Sequence, residues 1–184
     1  MLIANDHPEH GAALDPADAA LLGRAAAEEA ARFFAHRANA APTPLHAMRA
    51  LAAELGVGAL FVKDEGPRLG LGSFKALGGA YAVTRLVLEE ASRRLGRDVG
   101  AAELQSADVR AVASRMTFAC ATDGNHGRSV AQGAALVGAR SVIFVHSGVS
   151  EARVAAIARY GAEMVRVDGT YDDSVAEAAR VCAE

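Results

Sequence analysis

Tryptophan is absent from the 184 residues, and lysine occurs only at Lys63 and Lys75. Cysteine is nearly as scarce. Cys120 and Cys182 show no C-x-x-C spacing, so no disulfide framework holds the chain and a reducing compartment is expected. Long apolar runs are also missing: stretches such as 59–62 and 142–145 fall far short of the roughly 20 residues that cross a bilayer. The opening Met-Leu-Ile-Ala-Asn-Asp-His-Pro has neither a cationic nor an apolar signal region, so a soluble, cytoplasmic protein without a secretory leader is expected. With 19 basic against 22 acidic groups and a net charge of -3, no basic surplus offers a field for a phosphate backbone. Neither nucleic acid nor membrane is expected as a partner. His7, His10, His36, His46 and His146 lack ligand spacing, so no metal site is read.

What is present is a folded composition, 52% apolar and 22% charged, at a length that suits one domain or a large part of a bigger protein. Asp15-Pro16 announces a first helix, with Leu21, Leu22, Ala25, Ala26, Phe33 and Phe34 at helical spacing. Thr43-Pro44 reads as a second start, carrying Leu45, Met48, Leu51, Ala52 and Leu55 toward a terminating Gly56. The run 59–63 reads as a buried strand, followed by a polar, glycine-rich loop over 64–72. Ser73 then caps a predicted helix over 74–90, with Phe74, Leu77, Tyr81 and Leu88 on one face. The segment 92–115 reads as a connection with one short helix. Beyond Met116 the pattern alternates: strands at 117–121, 141–145 and 163–167, helices at 127–137 and 150–160 closed by Gly138 and Gly161, and a last helix near Asp172. That is the βαβ pattern of a parallel sheet, and the fold class is α/β.

Two places carry candidate chemistry. Lys75 sits among glycines in Gly70-Leu-Gly-Ser-Phe-Lys75-Ala-Leu-Gly-Gly79. A cation in the first turn of a helix opposes the dipole, and partial burial would favour the neutral, nucleophilic amine. The bland alternative is a surface lysine. The second is Thr122-Asp123-Gly124-Asn125-His126-Gly127, between a strand and a helix, where free N–H groups suit an anion. Asp123 either caps the helix or handles a proton there. Asp172-Asp173 reads as helix N-cap chemistry.

Together, Lys63-Asp64-Glu65, Gly72-Ser-Phe-Lys75-Ala-Leu-Gly-Gly-Ala-Tyr81 and Ala121-Thr-Asp-Gly-Asn-His-Gly-Arg128 resemble the fold-type II pyridoxal-phosphate enzymes, which include threonine dehydratase, cysteine synthase and the tryptophan synthase β chain. Within that group the motifs are most similar to the diaminopropionate ammonia-lyases, which carry Asp where other members have Ser before Gly-Asn-His. Val167-Asp-Gly-Thr-Tyr-Asp-Asp173 is similar to them as well. The resemblance implies pyridoxal 5'-phosphate held covalently by Lys75, its phenolic oxygen bonded by Asn125 and its ring packed by Phe74. It also implies a substrate-carboxylate loop of Thr122, Gly124, Asn125 and His126, and Asp123 as base toward the D-isomer. The implied reaction is α,β-elimination of 2,3-diaminopropionate to pyruvate and ammonia by a homodimer acting on a small amino acid. A serine/threonine dehydratase-like lyase and a non-catalytic fragment are the alternatives. The implied domains are residues 1–90, the start of the large domain with the lysine helix, and 91–184, a small mobile βαβ domain. The family's phosphate loop and second catalytic acid would follow Glu184, so the chain is expected to be an N-terminal portion, inactive by itself.

Overall fold

The computed structural model describes residues 3–183, which fall into two compact units divided after Arg37. The first holds α1 (Pro16–Leu22) and α2 (Arg24–Ala35). As the Asp-Pro signal predicts, Asp15 Oδ1 accepts the Ala17 N–H at 2.8 Å. Phe33 is the buried residue of α2 and meets Phe34 edge-to-face.

The second unit opens on a hairpin. β1 (Leu45–Ala47) and β2 (Phe61–Lys63) pair antiparallel, Leu45 opposite Lys63, around α3 (Arg49–Glu54). This corrects two expectations. The helix predicted from Thr43-Pro44 begins only at Arg49, because the first apolar residues form ladder bonds with β2 instead. Thr43 does not cap. It lies in a polar cluster, where its hydroxyl donates to Glu65 at 2.5 Å while Lys63 and Arg68 also bind it. Arg68, then Thr43, hold the Glu65 carboxyl down at about 2. The strand predicted as buried is instead exposed at Phe61 and Val62, since β1 is its only ladder partner among the described residues. Gly56 does end α3 in the left-handed region, at φ +64°.

The predicted helix over 74–90 is broken. A single 3-10 turn, Phe74–Leu77, is followed by α4 (Gly79–Leu95). Gly78-Gly79 permits the break, and a Cβ on Gly79 would stand 2.9 Å from Ser129 Oγ. The buried stripe of α4 is Ala80, Val83, Thr84, Val87, Leu88 and Ala91, whereas Phe74 is exposed, so the predicted apolar face shifts. Residue 90 lies inside α4, within the second compact unit.

α5 (Ala107–Ala113) precedes the regular alternation of β3 (Thr117–Ala121), α6 (Asn125–Val137), β4 (Arg140–His146), α7 (Glu151–Ala158), β5 (Glu163–Val167) and α8 (Tyr171–Ala183). The strands form a parallel sheet in the order β3-β4-β5, with Ala121 opposite Phe144 and His146 opposite Val167. Helices flank it, and the fold is α/β as the alternation predicts. Val130, Ala131 and Ala134 of α6 meet Ile143 and Val145 of β4, Ile157 of α7 and Val83 of α4 in one buried cluster. Gly133 lets α4 approach: a Cβ there would stand 2.8 Å from Ala80 Cα. Gly138 closes α6 with φ of +79°, and Gly161, at φ +80°, lies in the turn that follows α7. At α8 the cap is Thr170, not Asp172-Asp173. The Asp173 carboxylate accepts the Thr170 N–H at 2.7 Å from within the first turn, and its pKa is lowered chiefly by that bond. Among the described residues no helix is long and apolar enough to cross a membrane.

Candidate active site

The loop after β3 is organised by Thr122. Its buried hydroxyl accepts the N–H groups of Gly124 and Gly127, both at 3.0 Å. Thr122 therefore closes the turn into α6, and Asp123 does not cap. Of the two readings of Asp123, the structural one loses its ground. Its side chain is more than half exposed, and Oδ1 lies 3.2 Å from His146 Nε2 at the end of β4. Gly124 takes φ +158°, ψ -90°, a conformation that side-chain-bearing residues rarely adopt. The N–H groups of Asn125 and His126 open α6 with no hydrogen-bond partner among the described residues. Two unfilled donors at the start of a 13-residue helix suit a carboxylate or phosphate.

Lys75 stands in the 3-10 turn before α4, exposed rather than partly buried. Its ammonium lies 4.6 Å from the centre of the Phe74 ring and has no carboxylate partner among the described residues. The amine is open to a carbonyl compound. Ser73 Oγ accepts the Lys75 N–H at 3.2 Å, as predicted for a cap.

Sequence reasoning missed what joins these two places. Ser129 of α6 is fully buried; its hydroxyl donates to the Lys75 carbonyl at 2.7 Å and accepts the Ala80 N–H at 2.8 Å. Gln132 of the same helix donates to the Leu69 carbonyl at 3.2 Å. One helix thus presents the 122–127 loop at its start and anchors the lysine segment about 6 Å further along its axis. Nothing in a lone helical serine announces this, because the partners are 49 and 54 residues away. Removing the hydroxyl leaves the buried Ala80 N–H unpaired and takes one of two donors from the Lys75 carbonyl, which keeps the Gly78 N–H. We expect Ser129→Ala to lower stability by about 2 kcal/mol, read as a shifted denaturant midpoint. An unchanged midpoint would show that the tie carries no weight.

His146 was passed over with the scattered histidines. Its place at the carboxyl end of a strand next to β3 is the signal that finds it, since ligands of parallel sheets gather at those ends. Burial pushes the Cys120 thiol up to about 12, so it is no nucleophile at neutral pH. No cluster of three or more His, Cys, Asp or Glu able to hold a metal occurs among the described residues.

The chain is similar to proteins of one family. The family described as pyridoxal-phosphate dependent enzyme matches residues 37–184. The diaminopropionate ammonia-lyase of Escherichia coli K12 is 41% identical over 155 residues, which is 84% of this chain and 38% of the relative. That of Salmonella typhimurium is 36% identical over 161 residues, 88% of this chain and 40% of the relative. The crystal structure of the Escherichia coli lyase in complex with D-serine superposes with a TM-score of 0.76 at 39% identity, covering 85% of this chain and 39% of that one. The chain therefore spans about two-fifths of the length of the curated relatives it matches.

Proposed function

The chain belongs to the family of pyridoxal-phosphate-dependent enzymes, and from that premise we propose that the protein carrying it is a lyase that eliminates ammonia from 2,3-diaminopropionate to give pyruvate. The observation that supports this reading is the Ser129 tie, which anchors an unpaired lysine to the helix that begins with unfilled N–H donors. An amine for the cofactor carbonyl and donors for an acid group are what a pyridoxal-phosphate site needs from this portion of a chain, and the residues fit the cofactor.

When bound, pyridoxal phosphate supplies the electron sink that stabilises a carbanion at the substrate α-carbon. The chain's own residues divide the remaining work. The Lys75 amine is the covalent anchor, exposed enough to meet an aldehyde. Phe74 would pack against the ring, and the Asn125 amide would donate to the phenolic oxygen. The N–H groups of Asn125 and His126, with Thr122 and Gly124 shaping the turn, would hold the substrate carboxylate and so orient the α-proton. Asp123, free of any capping duty, would accept that proton from the D-isomer. Residence in the cytoplasm, assembly as a homodimer and a small amino acid as the partner complete the proposal.

Asp123→Asn in the full-length protein tests it. An amide keeps the size and much of the hydrogen bonding of the side chain but accepts no proton. Turnover of the D-isomer is expected to fall by roughly 10²- to 10⁴-fold, the usual range for a lost general base, with turnover of the L-isomer held. Steady-state assays of both isomers check this. Equal losses would assign Asp123 a structural role instead.

A further inference from the structure

We propose that His146 is a positioning residue that orients Asp123, and hence sets reactivity toward the D-isomer. This inference rests on the reading of Asp123 as the base. His146 closes β4, and its side chain is three-quarters buried while that of Asp123 is more than half exposed. The imidazole is fixed from behind: its Nδ1 accepts the Gly148 N–H at 3.1 Å. In the neutral ring the proton must then sit on Nε2, which faces Asp123 Oδ1 at 3.2 Å. Gly148 also makes room for the ring, since a Cβ there would stand 2.8 Å from His146 Cε1.

A hydrogen bond from Nε2–H to Oδ1, within reach at the 3.2 Å separation, would hold the exposed carboxylate and leave Oδ2 to take a proton. After transfer, the carboxyl keeps the same bond through its carbonyl oxygen, so His146 itself gains and loses nothing. The histidine acts through Asp123.

Two measurements on the full-length protein test this. Imidazole ¹⁵N shifts should report the Nε2–H tautomer of His146 and should move when Asp123→Ala removes the acceptor. An Nδ1–H tautomer, or shifts indifferent to that change, would overturn the contact. Kinetically, His146→Ala should cost roughly 10- to 100-fold in kcat for the D-isomer, the scale of a misplaced catalytic group, with KM and the L-isomer little changed. His146→Gln, whose amide can donate to the same oxygen, should restore most of it. Gly148→Ala should reproduce part of the loss by pushing the ring aside. Equal loss for both isomers, or none, would overturn the positioning role. A protein that turns over neither isomer contradicts the lyase reading itself, while the nitrogen shifts still decide the contact.

Discussion

Lys75→Ala is expected to abolish covalent attachment of pyridoxal phosphate while leaving the fold intact. The separation follows from which atoms of Lys75 the structure uses. Ser73 binds its N–H and Ser129 binds its carbonyl, and alanine supplies both groups unchanged. Among the described residues its ammonium contributes an exposed contact with the Phe74 ring. Stability should therefore move by no more than about 0.5 kcal/mol, as for other surface substitutions. The visible band of bound cofactor should vanish, and turnover should fall on the order of 10³-fold or more, since both the anchor and the amine of the site are lost. Absorbance spectra, denaturation and assays on the same preparation separate these effects. A large loss of stability would mean that the lysine is structural.

Gly127→Ala should do the reverse, damaging the fold and the site together. The added methyl would lie 2.4 Å from Thr122 Cγ2 and 2.8 Å from Ile143 Cγ2. Neither can retreat. Ile143 is fully buried, and Thr122 is locked by the two N–H groups its hydroxyl accepts. Overpacking costs up to about 3 kcal/mol, and displacing Thr122 adds two hydrogen bonds worth about 1 kcal/mol each. Alanine's better helix propensity returns about 1 kcal/mol. A net loss of up to about 4 kcal/mol is expected, with D- and L-isomer turnover falling together because the whole loop shifts. Thermal melts and both assays check it. A loss confined to one isomer would contradict the loop's role in holding the carboxylate.

The parallel sheet was legible because its signals are local. The spans predicted for β3 and β5 are those observed, and α6 ends at the glycine that reads as its terminator, while α7 stops at Ala158, short of Gly161. The hairpin was misread because Leu45 is equally apolar in a helix and in a strand, and only its pairing with Lys63 decides. The break before α4 was hidden for a similar reason. Gly78-Gly79 is compatible with a continuous helix until Ser129, far along the chain, presses against it. In the site, the lysine and the Gly-Asn-His loop stood out by composition and spacing. Thr122 as the turn's anchor, Ser129 as the tie and His146 beside Asp123 did not, because each acts through a tertiary contact.

Reductive trapping tests the central claim most directly. The full-length protein is incubated with pyridoxal phosphate, reduced with borohydride, digested, and the modified lysine located by mass spectrometry. Within residues 1–184 only Lys63 and Lys75 can react at a side chain, and Lys63 is engaged by Thr43 and Glu65. One phosphopyridoxyl group is expected, on Lys75. Its appearance on Lys63, or on a lysine outside these residues with Lys75 unmodified, would contradict the claim.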